Sequence, residues 1–133
     1  MQIQRQLDEA ILDYSRGEFD RAVAKLTDLL AQEAGCFDAQ FALGMAHFQR
    51  GDFASAIVAG HRAEQMNPDE PLVHTNLSLF YLKAGNIAKA EHHGLQARIA
   101  GWRAENAAAG AAGKSDPAAP SPKARVKVIR MPD

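Results

Sequence analysis

Apolar and polar positions along the 133-residue chain fall into a pattern that recurs every 34 residues. Gly17, Gly51 and Gly85 are each followed two places on by an apolar residue, Phe19, Phe53 or Ile87. Five places after each glycine stands an alanine, Ala22, Ala56 or Ala90, in the segments EFDRAV, DFASAI and NIAKAE. A glycine between two helical stretches permits the left-handed backbone that ends a helix. An alanine just beyond it lets two helices of a hairpin approach closely. Asp52 and Asn86 stand where a side-chain oxygen caps the free N–H groups of the next helix. Pro68 and Pro71 punctuate the link that follows. The pattern predicts six helices, over 3–15, 19–33, 37–49, 53–66, 70–83 and 87–100. A short seventh, over 102–109, is expected to cap the stack with Trp102 packed inward on the last pair.

The second unit extends the match through Leu43-Gly44, His47, Ala56, Ala63 and Pro68, and the third through Leu77-Ser78, Tyr81, Ala90 and Ala97. This resembles the tetratricopeptide repeat, a helix–turn–helix unit of 34 residues. The resemblance implies an all-α solenoid of three repeats, about 3–36, 37–70 and 71–102, stacked with a right-handed superhelical sense. Residues 1–106 form the repeat domain, with the capping segment running to 109, and residues 107–133 a disordered tail. The first repeat departs from the pattern: Glu9-Ala10 replace the Leu-Gly pair and Asp13 the aromatic, as suits a terminal unit. Where the second helix often carries a large apolar residue stand Leu26, Gly60 and Gly94. A glycine in mid-helix costs about 1 kcal/mol relative to alanine, so a neighbour's bulk is expected to fill the space beside it.

In such repeats the first helix of each pair lines a concave groove. By that resemblance the groove carries Leu7, Ile11, Tyr14, Phe41, Met45, Phe48, Leu72, Leu79 and Leu82, with Asn76 and Lys83 as polar members. An exposed apolar stripe marks an interaction surface, and aromatics with Met suit an apolar peptide or one face of a helix. Leu7, Ile11 and Leu72 read equally as groove residues or as side chains lying partly in the core, while Phe41, Met45, Phe48 and Leu79 are the expected groove floor. Repeats that clamp a chaperone's C-terminal carboxylate use Lys, Asn and Arg at positions that here hold Leu7, Ile11, Ala42, Leu72 and Asn76, so that mode is excluded. The stretch FDAQFALGMAHFQRGDF is similar to the second repeat of class II type III secretion chaperones, which implies a holder of apolar segments.

Charge changes the picture mainly at the end of the chain. The net formal charge is −1, which gives no argument for nucleic acid. Residues 1–106 carry 10 Lys and Arg against 14 Asp and Glu, whereas residues 107–133 carry 5 against 2. Residues 107–122 are rich in Ala, Gly, Pro and Ser and read as a linker. Beyond them Lys123, Arg125 and Lys127 alternate with Val126 and Val128 before Arg130. Alternation of period two suits an extended strand added to a sheet edge or laid on an acidic surface. A solvated basic end, or docking onto the acidic body, are the other readings. No signal-peptide core or membrane span is read in the sequence, and a cytoplasmic location is expected.

Catalytic chemistry is not expected. Ser15, Ser55, Ser78 and Ser115 lack a nucleophile-elbow context, and the glycines occur at turn and helix spacing, not as a phosphate loop. No two of His47, His61, His74, His92 and His93 have the four-residue spacing that puts two metal ligands on one helix face. His47 reads as a packing residue and the lone Cys36 as a packed thiol. No cofactor or metal is expected. The expected function is therefore an adaptor or chaperone holding an apolar peptide or amphipathic helix of another protein. The alternative is a scaffold subunit that docks, or self-associates, through its end face and basic tail.

Overall fold

The three turn glycines adopt the conformation their spacing predicts. Gly17, Gly51 and Gly85 have φ of +80°, +81° and +91°, and no other described residue has positive φ. Each closes the preceding helix in the same way. The Gly17 N–H donates to the Tyr14 carbonyl and the Glu18 N–H to that of Asp13. The same pair of bonds recurs at Gly51–Asp52 and at Gly85–Asn86. Two otherwise orphaned carbonyls are satisfied at every turn, and the chain is redirected into the second helix. That helix is then capped from its own start: Asp52 accepts from the Ser55 N–H and Asn86 from the Lys89 N–H, both at 3.1 Å. Glu18, the equivalent residue of the first repeat, makes no such bond.

The computed structural model describes residues 2–111. They form α1 (Gln2–Ser15), α2 (Phe19–Gln32), α3 (Phe37–Gln49), α4 (Phe53–Met66), α5 (Pro71–Lys83) and α6 (Ile87–Ala111). Helices pair as α1–α2, α3–α4 and α5–α6, and the pairs stack through α2–α3 and α4–α5. The backbones of α1 and α3, and of α3 and α5, also meet, whereas the second helices make no comparable approach. The row α1, α3, α5 is therefore the inner side of the stack. Ala22, Ala56 and Ala90 are buried where the paired helices come together. Leu26, Leu29, Val73, Leu77 and Phe80 are the largest side chains sealed from solvent.

The two mid-helix glycines are not equivalent. A methyl group on Gly60 would stand 2.7 Å from Leu77 Cδ2, so here α5 does occupy the space beside the glycine. On Gly94 it would meet only the Ser78 Oγ at 3.5 Å, an ordinary contact, and the expectation of a bulky neighbour is not met.

The end of the stack differs from expectation. The sequence predicts a sixth helix ending near residue 100 and a separate short helix over 102–109. In the structure α6 runs unbroken from Ile87 to Ala111. Gly101 does not adopt positive φ, no proline follows it within the helix, and the Ala, Arg and Glu residues beyond it are strong helix formers. Residues 107–111, expected to open the linker, are the last residues of this helix. Trp102 is not a plug: it is 41% exposed. The rest of the linker and the basic segment from Lys123 to Arg130 lie outside the described residues.

Candidate functional site

The first two repeats bring five of the expected groove residues to one place. Leu7, Ile11 and Tyr14 of α1 and Phe41 and Met45 of α3 surround a depression of about 370 Å³, completed by Ala42, with Asp8 and Asp38 among its polar lining. Positions 7, 11 and 14 recur at helical spacing and share one face of α1, as 38, 41, 42 and 45 do on α3. Leu7 is buried and belongs to the core of the first two repeats, so it supplies the depression from beneath. Ile11 is 45% exposed and is not a core residue. Tyr14 is fixed from two sides: Gln49 donates to its hydroxyl at 3.4 Å, and its ring stands edge-on to Phe19 at 5.3 Å. Phe41 is half-buried and tilted against Phe37 at 5.9 Å.

Phe48 lies elsewhere. Its ring stacks on Phe80 at 5.2 Å and leans on Phe53 at 5.5 Å, so this half-buried side chain packs against the core of the second and third repeats and does not line the depression. On α5, Leu72, Leu79 and Leu82 are exposed at 57%, 40% and 51%, beside exposed Lys83 and half-buried Asn76. Of the two readings of Leu72, its exposure fits the groove and not the core. The inner face is thus a lined depression at one end and a flatter row of exposed leucines at the other.

The opposite face carries a second depression of about 330 Å³ between α3 and α4, lined by Leu43, His47, Ser55, Val58, Ala59 and Arg62. His47 is half-buried there, with its Nδ1 unpartnered and 4.0 Å from Asp52 Oδ2. Burial pushes its pKa down; Asp52 opposes the shift and Arg50 adds to it. Cys36 packs against the core of the first two repeats, as expected of a buried thiol.

The histidines hold what the spacing argument missed. His61 of α4, His74 of α5 and His93 of α6 converge with Glu64 of α4 and Tyr81 of α5. His61 Nδ1 lies 2.8 Å from Glu64 Oε1, and its Nε2 lies 2.6 Å from the Tyr81 hydroxyl. The His93 ring stacks on Tyr81 at 5.5 Å and on His74 at 5.8 Å. Burial lowers the His93 pKa against the pull of Glu64, and burial raises that of Tyr81. A search for ligand pairs within one helix cannot find a cluster built from three. The available signal was the repeat alignment, which places His74 at the register of buried Gln40.

A sequence profile described as tetratricopeptide repeat matches residues 7–71. That segment carries tetratricopeptide repeats. Solved structures carry the same fold across the third repeat. MamA of MSR-1 superposes with a TM-score of 0.73 at 24% identity, over 77% of this chain and 59% of MamA. The chain therefore spans less than two thirds of the length of that protein. The type III secretion translocator chaperone SycD of Yersinia enterocolitica superposes with a TM-score of 0.72 at 19% identity, over 74% of each chain. SycD in complex with a peptide of the translocator YopD gives 0.73 at 17% identity, over 97% of this chain and 86% of SycD. No curated protein is a detectable sequence relative. Among the described residues, no helix is long and apolar enough to cross a membrane.

Proposed function

We propose that this protein is an interaction module that takes an apolar peptide or one face of an amphipathic helix on its inner surface. The observation that carries this is the depression between α1 and α3, lined by Leu7, Ile11, Tyr14, Phe41 and Met45 with two carboxylates, Asp8 and Asp38, beside them. A concave apolar patch with a few polar groups is the usual form of a recognition site. The carboxylates favour a ligand whose apolar anchor is flanked by Lys or Arg. The structure of SycD with a YopD peptide supports the use of this fold for peptide capture. The row Leu72, Leu79 and Leu82 extends the apolar surface for a longer ligand.

The test is selection from a random peptide library displayed on phage. Enriched peptides are expected to carry bulky apolar residues next to basic ones. Ile11→Glu and Met45→Glu are expected to abolish binding while keeping helical circular dichroism. Ile11 is the cleaner probe because it is exposed; Phe48→Glu would disrupt the core stack instead. Peptides that bind both variants as tightly as the wild type rule the reading out.

A second reading rests on a different surface. Ile87, Leu95 and Trp102 are 52%, 46% and 41% exposed on α6 and fall within roughly 80° of one another around that helix. This apolar stripe on the last helix supports docking or self-association through the end face. Light scattering of Trp102→Glu against wild type separates the two readings, since only the second predicts a change in mass.

A further inference from the structure

We propose that Glu64, His74 and His93 form a binding site for one divalent transition-metal ion of the zinc class, at the seam between the second and third repeats. One ligand atom from each residue lies within 4.8 Å of the other two. The ligand set of two imidazoles and a carboxylate is one that zinc takes. Tetrahedral zinc ligands at about 2.0–2.1 Å from the ion stand roughly 3.3 Å apart, so the His74–Glu64 gap of 3.8 Å must close by about 0.5 Å and the widest of the three, at most 4.8 Å, by up to about 1.5 Å. Glu64, a half-buried side chain with three rotatable bonds, can contribute to that closure.

Proton placement argues for a cation at this point. The Nε2 atom of His74 is 2.7 Å from the Pro68 carbonyl oxygen, which only accepts, so Nε2 carries a proton. The Nδ1 of His74 is buried without a hydrogen-bond partner and faces Glu64 Oε2 at 3.8 Å. In the neutral ring two acceptors look at one another across that gap. The Nδ1 of His93 is also buried without a partner. Both rings are more than nine-tenths buried, so water does not readily satisfy these atoms. A cation held by His74 Nδ1, Glu64 and a ring nitrogen of His93 answers the unpartnered His74 atom and the carboxylate together.

The surroundings are those of an organised ligand shell. The Pro68 carbonyl fixes the tautomer and the angle of His74. The Tyr81 hydroxyl donates to His61 Nε2, and His61 Nδ1–H donates to Glu64 Oε1. That chain leaves Oε2 as the free oxygen, turned toward His74. Because its ligands come from α4, α5 and α6, the ion would tie the last helix pair to the second repeat.

The experiment uses the full chain without a histidine tag, stripped with chelator and titrated with Zn²⁺ by calorimetry and with Co²⁺ by visible absorption. The expected result is uptake of one equivalent, with a cobalt spectrum of low coordination number that zinc displaces. Glu64→Gln, His74→Gln and His93→Gln are each expected to weaken binding by at least the roughly tenfold to hundredfold that loss of a mere outer-shell partner costs. His47→Gln and His92→Gln are expected to change nothing. Zinc is expected to raise the melting temperature of wild type and not of Glu64→Gln. Should the histidine variants fail to fold, Glu64→Gln carries the test, as its side chain is partly exposed and its replacement isosteric. Absence of uptake at millimolar metal overturns the proposal. So does uptake undiminished in Glu64→Gln, or lost in His92→Gln, which would mark a surface chelate.

Discussion

Gly60 and Gly94 occupy the same repeat position, yet the same substitution is expected to push them in opposite directions. Either change to alanine removes the handicap of glycine in mid-helix, about 1 kcal/mol. At Gly94 the added methyl meets only Ser78 Oγ at 3.5 Å. Gly94→Ala should therefore keep most of the gain and stabilise by about 0.5–1 kcal/mol. At Gly60 the methyl lands 2.7 Å from Leu77 Cδ2, 3.2 Å from its Cγ and 3.4 Å from Phe80 Cε2. Leu77 and Phe80 are 0% and 2% exposed, so neither has a solvent side to turn toward. Rotating the Leu77 terminus does not relieve the contact with Cγ, which only backbone movement of α5 against α4 can ease. Overpacking of this kind costs about 1–3 kcal/mol and outweighs the helical gain, so Gly60→Ala should destabilise by up to about 2 kcal/mol. The two variants then differ by about 2 kcal/mol, or on the order of 10 °C in melting temperature for a domain of this size. Urea and thermal unfolding followed by circular dichroism measure both. Gly60→Ala proving as stable as Gly94→Ala would refute the close approach of Leu77 to α4.

The buried Asp13 carboxylate is paired at 2.7 Å with Lys25, whose side chain is 41% exposed. Lys25→Met should cost about 1–3 kcal/mol by stranding the carboxylate; urea unfolding should show Asp13→Leu with Lys25→Met recovering most of that loss, because no buried charge remains. His47 binds its proton more weakly folded than unfolded, so its neutral form is favoured by folding. Its contribution is complete above the unfolded pKa, about 6.5, and is lost as pH falls from there through the lower folded value. Denaturation at intervals between about pH 7.5 and 5 should show stability falling on acidification, and less steeply in His47→Phe. An unchanged slope in that variant would mean that His47 is as accessible to protons folded as unfolded.

Much of the architecture was legible because it is dictated locally and repeated. A glycine needing positive φ and an alanine at a helix crossing act within one turn of chain and recur in three copies, and a capping Asp or Asn recurs in two. The depression between α1 and α3 was legible for the same reason: Ile11, Phe41 and Met45 follow from helical register plus the knowledge of which helix faces inward. What escaped depended on contacts between repeats. Nothing near Phe48 in sequence says that Phe80, 32 residues later, will draw it out of the groove. Gly101 resembles the turn glycines, yet it lacks the capping residue that follows them, and α6 simply continues. The histidine cluster escaped because each ligand sits on a different helix, where no spacing rule applies.

The same slot between the paired helices is filled differently in each repeat, and this accounts for where the polar chemistry lies. The slot is formed by the residue four before each turn glycine and the one eight after it. In the first repeat these are Asp13 and Lys25, an ion pair. In the third they are Tyr81 and His93, stacked rings. In the second they are His47 and Ala59, and alanine is too small to fill the space, which leaves the depression on the outer face. The inner face carries an apolar residue in every repeat, Ile11, Met45 and Leu79, among polar ones such as Asp8, Asp38 and Lys83. Under the proposed function a ligand requires only that the inner surface stay apolar around Ile11 and Met45. The slots lie away from those residues and can hold a charge pair, a gap or stacked rings without disturbing the groove. The proposed ligand on the inner face and the proposed metal at the seam between repeats are therefore separable, and binding of peptide to Ile11 and Met45 should persist when Glu64 is replaced.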